Sequence, residues 1–306
     1  MADNFPFPIP KGWFALMAED ELAPGQVARV EALGKEFVVF RTESGTPSVV
    51  DPYCPHLGAH LGVGGTVSGE TLVCPFHGWR FDSEGRCTEV PYAKRIPPKA
   101  QITHYETRLV NGWIFVWHDP AGSSPNYEIP AVPGFEDAAW CPPVRHEWTI
   151  GAQFQELFEN ICDPAHFLYV HQTSTFPESK VTFAGATARS LNHATMPTRK
   201  GEIEGTIDAY TIGPGFGYVL YDIVTDMLQI TSSLPLDDHR TMIRHEFRVR
   251  EGDRVGPALI RQICMQMGQD IPIWENKTYH AAPVLCDGDG PIAGGRKWMA
   301  QFYNDQ

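Results

Sequence analysis

The chain has 306 residues, 37 acidic against 24 basic for a formal charge of −13, and 42% of its residues are hydrophobic. That length holds one long domain or two ordinary ones with a packed core, and 20% charged with 11% aromatic residues excludes a disordered, collagenous or coiled-coil chain. The acidic balance, with no cluster of Lys and Arg, argues against nucleic acid and anionic membrane as partners.

The start, MADNFPFPIPKGWF, has no basic segment leading into an apolar one, and no later run reaches the length of a membrane span. A soluble, cytoplasmic chain is expected. From about residue 26 to 118, short β-branched and aromatic runs alternate with Gly, Pro and Asp: Val27–Val30, Glu36–Arg41, Ser48–Asp51, Trp79–Phe81 and Gly112–Trp117. They predict a small antiparallel β domain over residues 1–120. Six prolines from Pro120 to Pro143 strip out amide donors and fix φ, so residues 121–144 read as a linker.

Residues 145–306 change character. Phe154, Leu157, Phe158 and Ile161 recur at i, i+3, i+4 and i+7, the stripe of a helix packed on one side. Asp163 followed by Pro164 predicts a second helix, with Asp at the N-cap and Pro at the first helical position. Strand-like runs follow at Ile203–Tyr210, Gly217–Tyr221, Met227–Leu234 and Thr241–Arg250, then a helical region over Pro257–Ala281. Strands in succession without intervening helices predict an antiparallel α+β unit.

Seven cysteines, an odd number thinly spread, read as reduced thiols, some of them metal ligands. Cys54-Pro-His56 and Cys74-Pro-Phe-His77 form C-x-H-x17-C-x2-H, one thiolate and one imidazole from each of two loops. Such a set binds zinc, or a [2Fe–2S] cluster in which two His replace two Cys on one iron. Zinc sites expect C-x2-C pairing and another order of Cys and His, so the cluster is favoured. His60 and Cys87 are nearby rivals, but neither belongs to a repeated Cys/His pair. The glycines of LGVGG break G-x-G-x-x-G at Val67 and read as turns.

Asn160, Asp163, His166 and His171 form N-x2-D-x2-H-x4-H. His166 and His171, five apart, stand about 140° round an ideal helix, so they converge on one ion only if the helix ends or distorts between them. A facial triad of two His and one carboxylate needs a further oxygen. Asp208, Asp222, Asp226, Asp270, Glu275, Asp287 and Asp289 are available. Asp270 falls within the apolar stripe Ile263, Met267, Ile271 and Trp274, where a carboxylate is costly unless paired or metal-bound. The alternative is that it caps a turn before Pro272.

CPHLGAHLG and CPFHGWRF resemble the cluster loops of Rieske proteins, and with DPAHFLYVH the chain resembles Rieske oxygenases from end to end. GRCTEVPYA, IFVWHD, QDIPIWENKT and QFYND are similar to the steroid branch, the oxygenase components of 3-ketosteroid 9α-hydroxylases and, less closely, cholesterol 7-desaturases. The resemblance implies an N-terminal all-β Rieske domain and a C-terminal helix-grip, START-like catalytic domain around a hydrophobic cavity. It implies Cys54, His56, Cys74 and His77 on the cluster, with a potential of about −150 to +300 mV. It also implies His166, His171 and, from QDIPIWENKT, Asp270 on a mononuclear Fe(II). Asp163, from the motif that Asn160 opens, would link His77 of one chain to His166 of its neighbour in a homotrimer.

No nucleotide fingerprint is present, so electrons are expected from NADH or NADPH through a separate reductase, with or without a ferredoxin. The implied reaction uses O₂ to hydroxylate a bulky hydrophobic substrate such as a steroid or sterol. Desaturation, demethylation and cis-dihydroxylation share this iron site. A Rieske electron carrier and a lipid-binding module are the other classes, and the complete His motif counts against both. Phe154, Phe158, Phe216, Tyr218, Leu220 and Met227 are candidate pocket residues, and Gly213, Pro214, Gly215 and Gly217 a turn beside the cavity. The steroid branch is expected to carry further helix beyond QFYNDQ.

Overall fold

The computed structural model describes residues 5–198, 201–222 and 225–303, with the side chains of residues 194, 196–198, 203 and 222 outside that description. The carboxylate of Asp222 is therefore outside the described residues. The chain divides into two compact units, Trp13–Ile129 and the described parts of residues 1–12 and 130–306.

The first unit is built from β1 (Gly12–Ala18), β2 (Val27–Ala32), β3 (Lys35–Arg41), β4 (Pro47–Val50), β5 (Thr66–Ser68), β6 (Thr71–Val73), β7 (Arg80–Phe81), β8 (Cys87–Glu89), β9 (His104–Tyr105), β10 (Thr107–Val110) and β11 (Trp113–His118). They form three small sheets, ordered β1-β11-β10, β2-β3-β4-β9 and β5-β6-β7-β8. Strand β1 escapes the sequence reading because all seven residues of GWFALMA are buried, which leaves no alternation to detect. Val38, Phe40, Val50, Leu61, Leu72 and Phe81 form a core that also takes in Cys54, Cys74 and Cys87.

The second unit holds β12 (Val144–Ile150), α1 (Phe154–Ile161), α2 (Ala165–Tyr169), β13 (Glu178–Ala184), β14 (Thr187–Thr198), β15 (Gly201–Ile212), β16 (Phe216–Asp222), β17 (Asp226–Pro235), β18 (Thr241–Val249), α3 (Gly256–Asn276) and α4 (Ile292–Met299). Its seven strands make one antiparallel sheet in the order β12-β18-β17-β16-β15-β14-β13. Helix α3 lays Ile271 and Trp274 with Met267 against Ile150 and Ile243, and Ile260 and Ile263 against Met227 and Phe247. This is the antiparallel α+β architecture expected for the second domain, with a long helix packed on the sheet.

Several expectations shift. Helix α2 starts at Ala165 with Pro164 at the N-cap, one residue later than predicted, although the Asp163 carboxylate still accepts the Ala165 N–H at 2.9 Å. Helix α3 stops at Asn276 and runs through Pro272, so Asp270 does not cap a turn there. Strands β12 to β14 and helix α4 were not anticipated, since polar alternation in ESKVTFA and paired glycines in IAGGRKWM mask them. Those glycines have a packing reason nearby: a Cβ on Gly295 would lie 2.7 Å from Cys162 Sγ, and one on Gly290 would overlap the Cys162 carbonyl. Residues 290–295 thus press on the end of α1 and hold the turn that carries Asp163.

Candidate metal centres

Both Cys-Pro segments fold into the same loop. Cys54 N–H donates to the Ala59 carbonyl (2.9 Å) and Gly58 N–H to the Cys54 carbonyl (3.0 Å); Cys74 N–H donates to Trp79 (2.8 Å) and Gly78 N–H to Cys74 (3.1 Å). Gly58 and Gly78 close the loops at φ of 74° and 72°, a conformation that side chains disfavour, which explains a glycine four residues after each cysteine. Cys54 and Cys74 are buried, whereas His56 and His77 lie nearer the surface with ring centroids 4.7 Å apart. His56 stacks on Trp79, whose indole N–H donates to Tyr92 at 2.9 Å.

The residues present fit a two-iron cluster. His56 Nδ1 is buried without a hydrogen-bond partner, so this loop carries a donor atom that nothing in the chain satisfies. Burial raises the Cys54 thiol to about 11 despite a hydrogen bond from the His56 backbone, so a thiolate there needs adjacent cationic charge, as iron provides. Among the described residues, only His166, His171 and Asp270 bring three such donor atoms within 4.8 Å of one another. The rivals have ordinary roles: His60 Nδ1 accepts Gly62 N–H at 3.0 Å, and the Cys87 thiol donates to the Glu89 carbonyl at 3.4 Å.

The second centre depends on how α2 ends. His171 N–H reaches the His166 carbonyl at 3.3 Å, a wide i to i+5 turn, and Gln172 follows at φ 56°. Closing five residues in one turn brings His171 back over His166, which an ideal helix would not. Their ring centroids are 5.1 Å apart. His166 Nδ1 donates to the Asp163 carbonyl at 2.5 Å, and His171 Nδ1 donates to Gln269 Oε1 at 3.1 Å. With both Nδ1 atoms donating, each Nε2 is the ring atom left for a metal, which at His171 would take the place of the hydrogen bond to Asp270. From α3, Asp270 brings Oδ2 to 3.3 Å from His171 Nε2, with Asp270 only 7% exposed.

Burial lowers the His166 pKa, while at His171 the hydrogen bond and charge of Asp270 outweigh burial and raise it. A buried carboxylate beside two imidazoles, with an open cavity next to them, is the donor set of a facial triad. Four competing carboxylates are occupied elsewhere, Asp208 with Arg189 (2.7 Å), Asp226 with Arg250 (2.8 Å), and Glu275 and Asp289 with backbone N–H groups of Gly151 and Cys286, and Asp287 is exposed.

Asp163 and Asn160 stand outside this triad. The Asp163 side chain is 36% exposed, and its nearer contact to His166 is through the backbone. Asn160 Oδ1 accepts the Trp274 indole N–H at 3.2 Å, tying α1 to α3 one turn beyond Asp270. Gln269, which orients His171, escaped the sequence reading; its only signal is its place beside Asp270.

A cavity of about 250 Å³ opens on the triad, lined by His166, His171, Asp270 and apolar residues including Phe154, Phe158 and Phe216. Tyr218, Leu220 and Met227 are not among its lining residues; Tyr218 stacks on Tyr210 and Met227 packs on Phe247. The turn at Gly213, with φ 59°, leads into Phe216 at the cavity wall. No helix among the described residues is long and apolar enough to cross a membrane.

The Rieske [2Fe-2S] domain profile matches residues 12–106, and that of the 3-ketosteroid 9alpha-hydroxylase C-terminal domain matches residues 116–303. A cholesterol 7-desaturase of Ciona intestinalis is 33% identical over all of this chain and 71% of its own length. A probable 3-ketosteroid-9-alpha-monooxygenase oxygenase component of Rhodococcus rhodochrous is 33% identical over 96% of this chain and 80% of its own. Among solved structures, Pseudomonas putida CBB5 NdmA, as a QL mutant with theobromine, superposes with a TM-score of 0.76 at 22% identity over 94% of this chain and 89% of that one. Dicamba monooxygenase bound to dicamba gives 0.75 at 17% identity over 97% and 98%. The two-loop Rieske domain and the His, His, Asp centre on a seven-stranded sheet are therefore parts of one enzyme, and the chain belongs to the Rieske non-heme iron oxygenases with a C-terminal domain of the 3-ketosteroid 9α-hydroxylase family.

Proposed function

We propose that this chain is the cytoplasmic oxygenase component of a monooxygenase that hydroxylates a bulky hydrophobic substrate, a steroid or sterol, with O₂ and electrons from NAD(P)H through a separate reductase. The observation that carries the reading is the buried His166, His171 and Asp270 set opening on a largely apolar cavity. The names of the relatives support the substrate class. In this reading Cys54, His56, Cys74 and His77 hold the cluster, and His166, His171 and Asp270 hold the iron. When bound, the two metal groups supply electron storage and O₂ activation.

The chain's own residues do the rest. The Asp163 carbonyl and Gln269 hold the imidazoles in one tautomer, and Phe154, Phe158 and Phe216 give the cavity apolar wall. Leu57, Phe76 and Tyr92, each more than half exposed, surround the His56 and His77 tip. An apolar tip of this kind fits docking on another protein surface, in line with a homotrimer in which the exposed Asp163 carboxylate meets His77 of a neighbouring chain.

A second reading, a smaller non-steroid substrate acted on by demethylation, desaturation or ring hydroxylation, is favoured by the cavity itself. Its roughly 250 Å³ lies below the usual range of about 300–1,000 Å³ for drug-sized ligands. A single turnover separates the two: the chemically reduced protein receives ¹⁸O₂ with steroids, sterols and small aromatics, and mass spectrometry follows the product. Labelled steroid supports the first reading, and label or demethylation in small aromatics alone supports the second. In the same assay Asp163→Asn should keep both metals and slow cluster reoxidation about tenfold or more; an unchanged rate removes its bridging role.

A further inference from the structure

Close-packed folds leave few cavities larger than a water molecule, because unfilled space forfeits contacts. Helix α3 nevertheless stands over two. The first is the cavity of about 250 Å³ at the triad; the second, about 140 Å³, lies between the N-terminal half of α3 and the sheet, lined by Leu259 and Gln262 with Val219 and Tyr221. Phe167, Ile207, Gln229, Ile263 and Gln266 line both, so the two cavities share a wall. Gln262 precedes Asp270 by about 12 Å along α3, which places the second cavity on the side of the first that leads away from the carboxylate.

Strand register puts Gln229 on that shared wall. Gln229 on β17 lies opposite Val219 on β16, and Tyr221 follows Val219 by two residues, so the three side chains rise from one face of the sheet. Tyr221 O–H donates to Gln229 Oε1 at 2.5 Å and pins the amide there. Ile207 and Ile263 are β-branched and stiff, whereas Gln229 has several rotatable bonds and is held by this hydroxyl.

We infer that the second cavity receives the far end of the substrate, and that Gln229, pinned by Tyr221, is the partition that sets how long a substrate the site accepts. A molecule confined to the first cavity leaves the pair intact. A longer one reaches the second only where the Gln229 side chain turns away from Tyr221, which loses that hydrogen bond and weakens the binding of long molecules. Joined, the two volumes enter the range of about 300–1,000 Å³ usual for drug-sized ligands, which the first alone does not. The inference rests on the first cavity being the substrate site, as proposed above.

Equilibrium dialysis of the metal-loaded protein tests this without turnover, with three ketones of increasing length: tetralone, androstenedione and cholest-4-en-3-one. Gln229→Ala should hold the two longer ketones about tenfold more tightly and Tyr221→Phe about threefold, while tetralone stays within about twofold in both. Val219→Phe fills the second cavity from a residue that the first does not share, and should weaken the longer ketones about tenfold while again sparing tetralone. Cluster absorption and bound iron should be unchanged in all three variants; Gln229→Ala and Tyr221→Phe only remove atoms, so they carry the test by themselves if Val219→Phe fails to fold. Longer ketones whose affinity stays within about twofold of the parent in Gln229→Ala, with tetralone still bound, would overturn the partition and leave the substrate site standing. Retention of none of the three ketones by any form would remove the steroid reading and the inference with it.

Discussion

The two candidate centres are assembled in opposite ways. The Cys54 and Cys74 loops are local: each closes on itself with two backbone hydrogen bonds, and all four donors fall within 24 residues of sequence. The His166, His171 and Asp270 centre is long-range, because its carboxylate arrives on α3 about a hundred residues after the histidines and its geometry depends on packing of α1, α3 and the sheet. In the proposed reading, local folding fixes the donors of a cluster that only stores charge. Long-range folding fixes donors that in the same reading share their space with a substrate, and the cavity beside them is what the second arrangement gains.

Cys54→Ser should give the largest effect: the visible absorption of the cluster is lost entirely, while mononuclear iron bound to the C-terminal unit remains. Loss of both irons together would mean that the two units are not independent in the way that their separate cores imply. Asp270→Ala should reverse the pattern, with cluster absorption intact and iron affinity at the second centre reduced about 100-fold or more, by metal analysis after dialysis. Unchanged iron would move the third ligand to another carboxylate. Gln269→Ala removes the acceptor that orients His171 and should weaken the same iron about tenfold, with Gln269→Glu restoring most of it.

The same contrast decides what the sequence made legible. Cys54, His56, Cys74 and His77 could be read directly, since repeated spacing in a local loop survives in one dimension. The convergence of His166 and His171 could be posed only as a condition, a helix ending or distorting between them; the i to i+5 closure at His171 meets it. Asp270 was legible because a carboxylate inside an apolar stripe is anomalous. Gln269 was not, because a glutamine on a helix looks ordinary until packing shows that it meets His171. Strand β13 was missed for a related reason: alternating exposed polar residues on a sheet edge carry little apolar signal.

The smallest expected effect concerns Asn160, which belongs to the same motif as the histidines and lines the cavity, with its side-chain oxygen accepting from Trp274. Asn160→Ala leaves a largely buried indole N–H without its acceptor and should cost about 1–2 kcal/mol in urea unfolding of the C-terminal unit. Trp274→Phe removes the donor and some packing, so its cost should be larger, since Trp274 sits in the cluster with Ile150 and Met267. If the hydrogen bond is the whole role of Asn160, the double variant should cost less than the two singles added, by about 1 kcal/mol. Additive costs would show that Asn160 acts by another contact. Iron affinity then separates positioning from stability: Trp274 follows Asp270 by one turn of α3, so a tie that positions the carboxylate should change iron binding in Asn160→Ala, whereas a tie that only holds α1 to α3 should leave it unchanged at temperatures below unfolding.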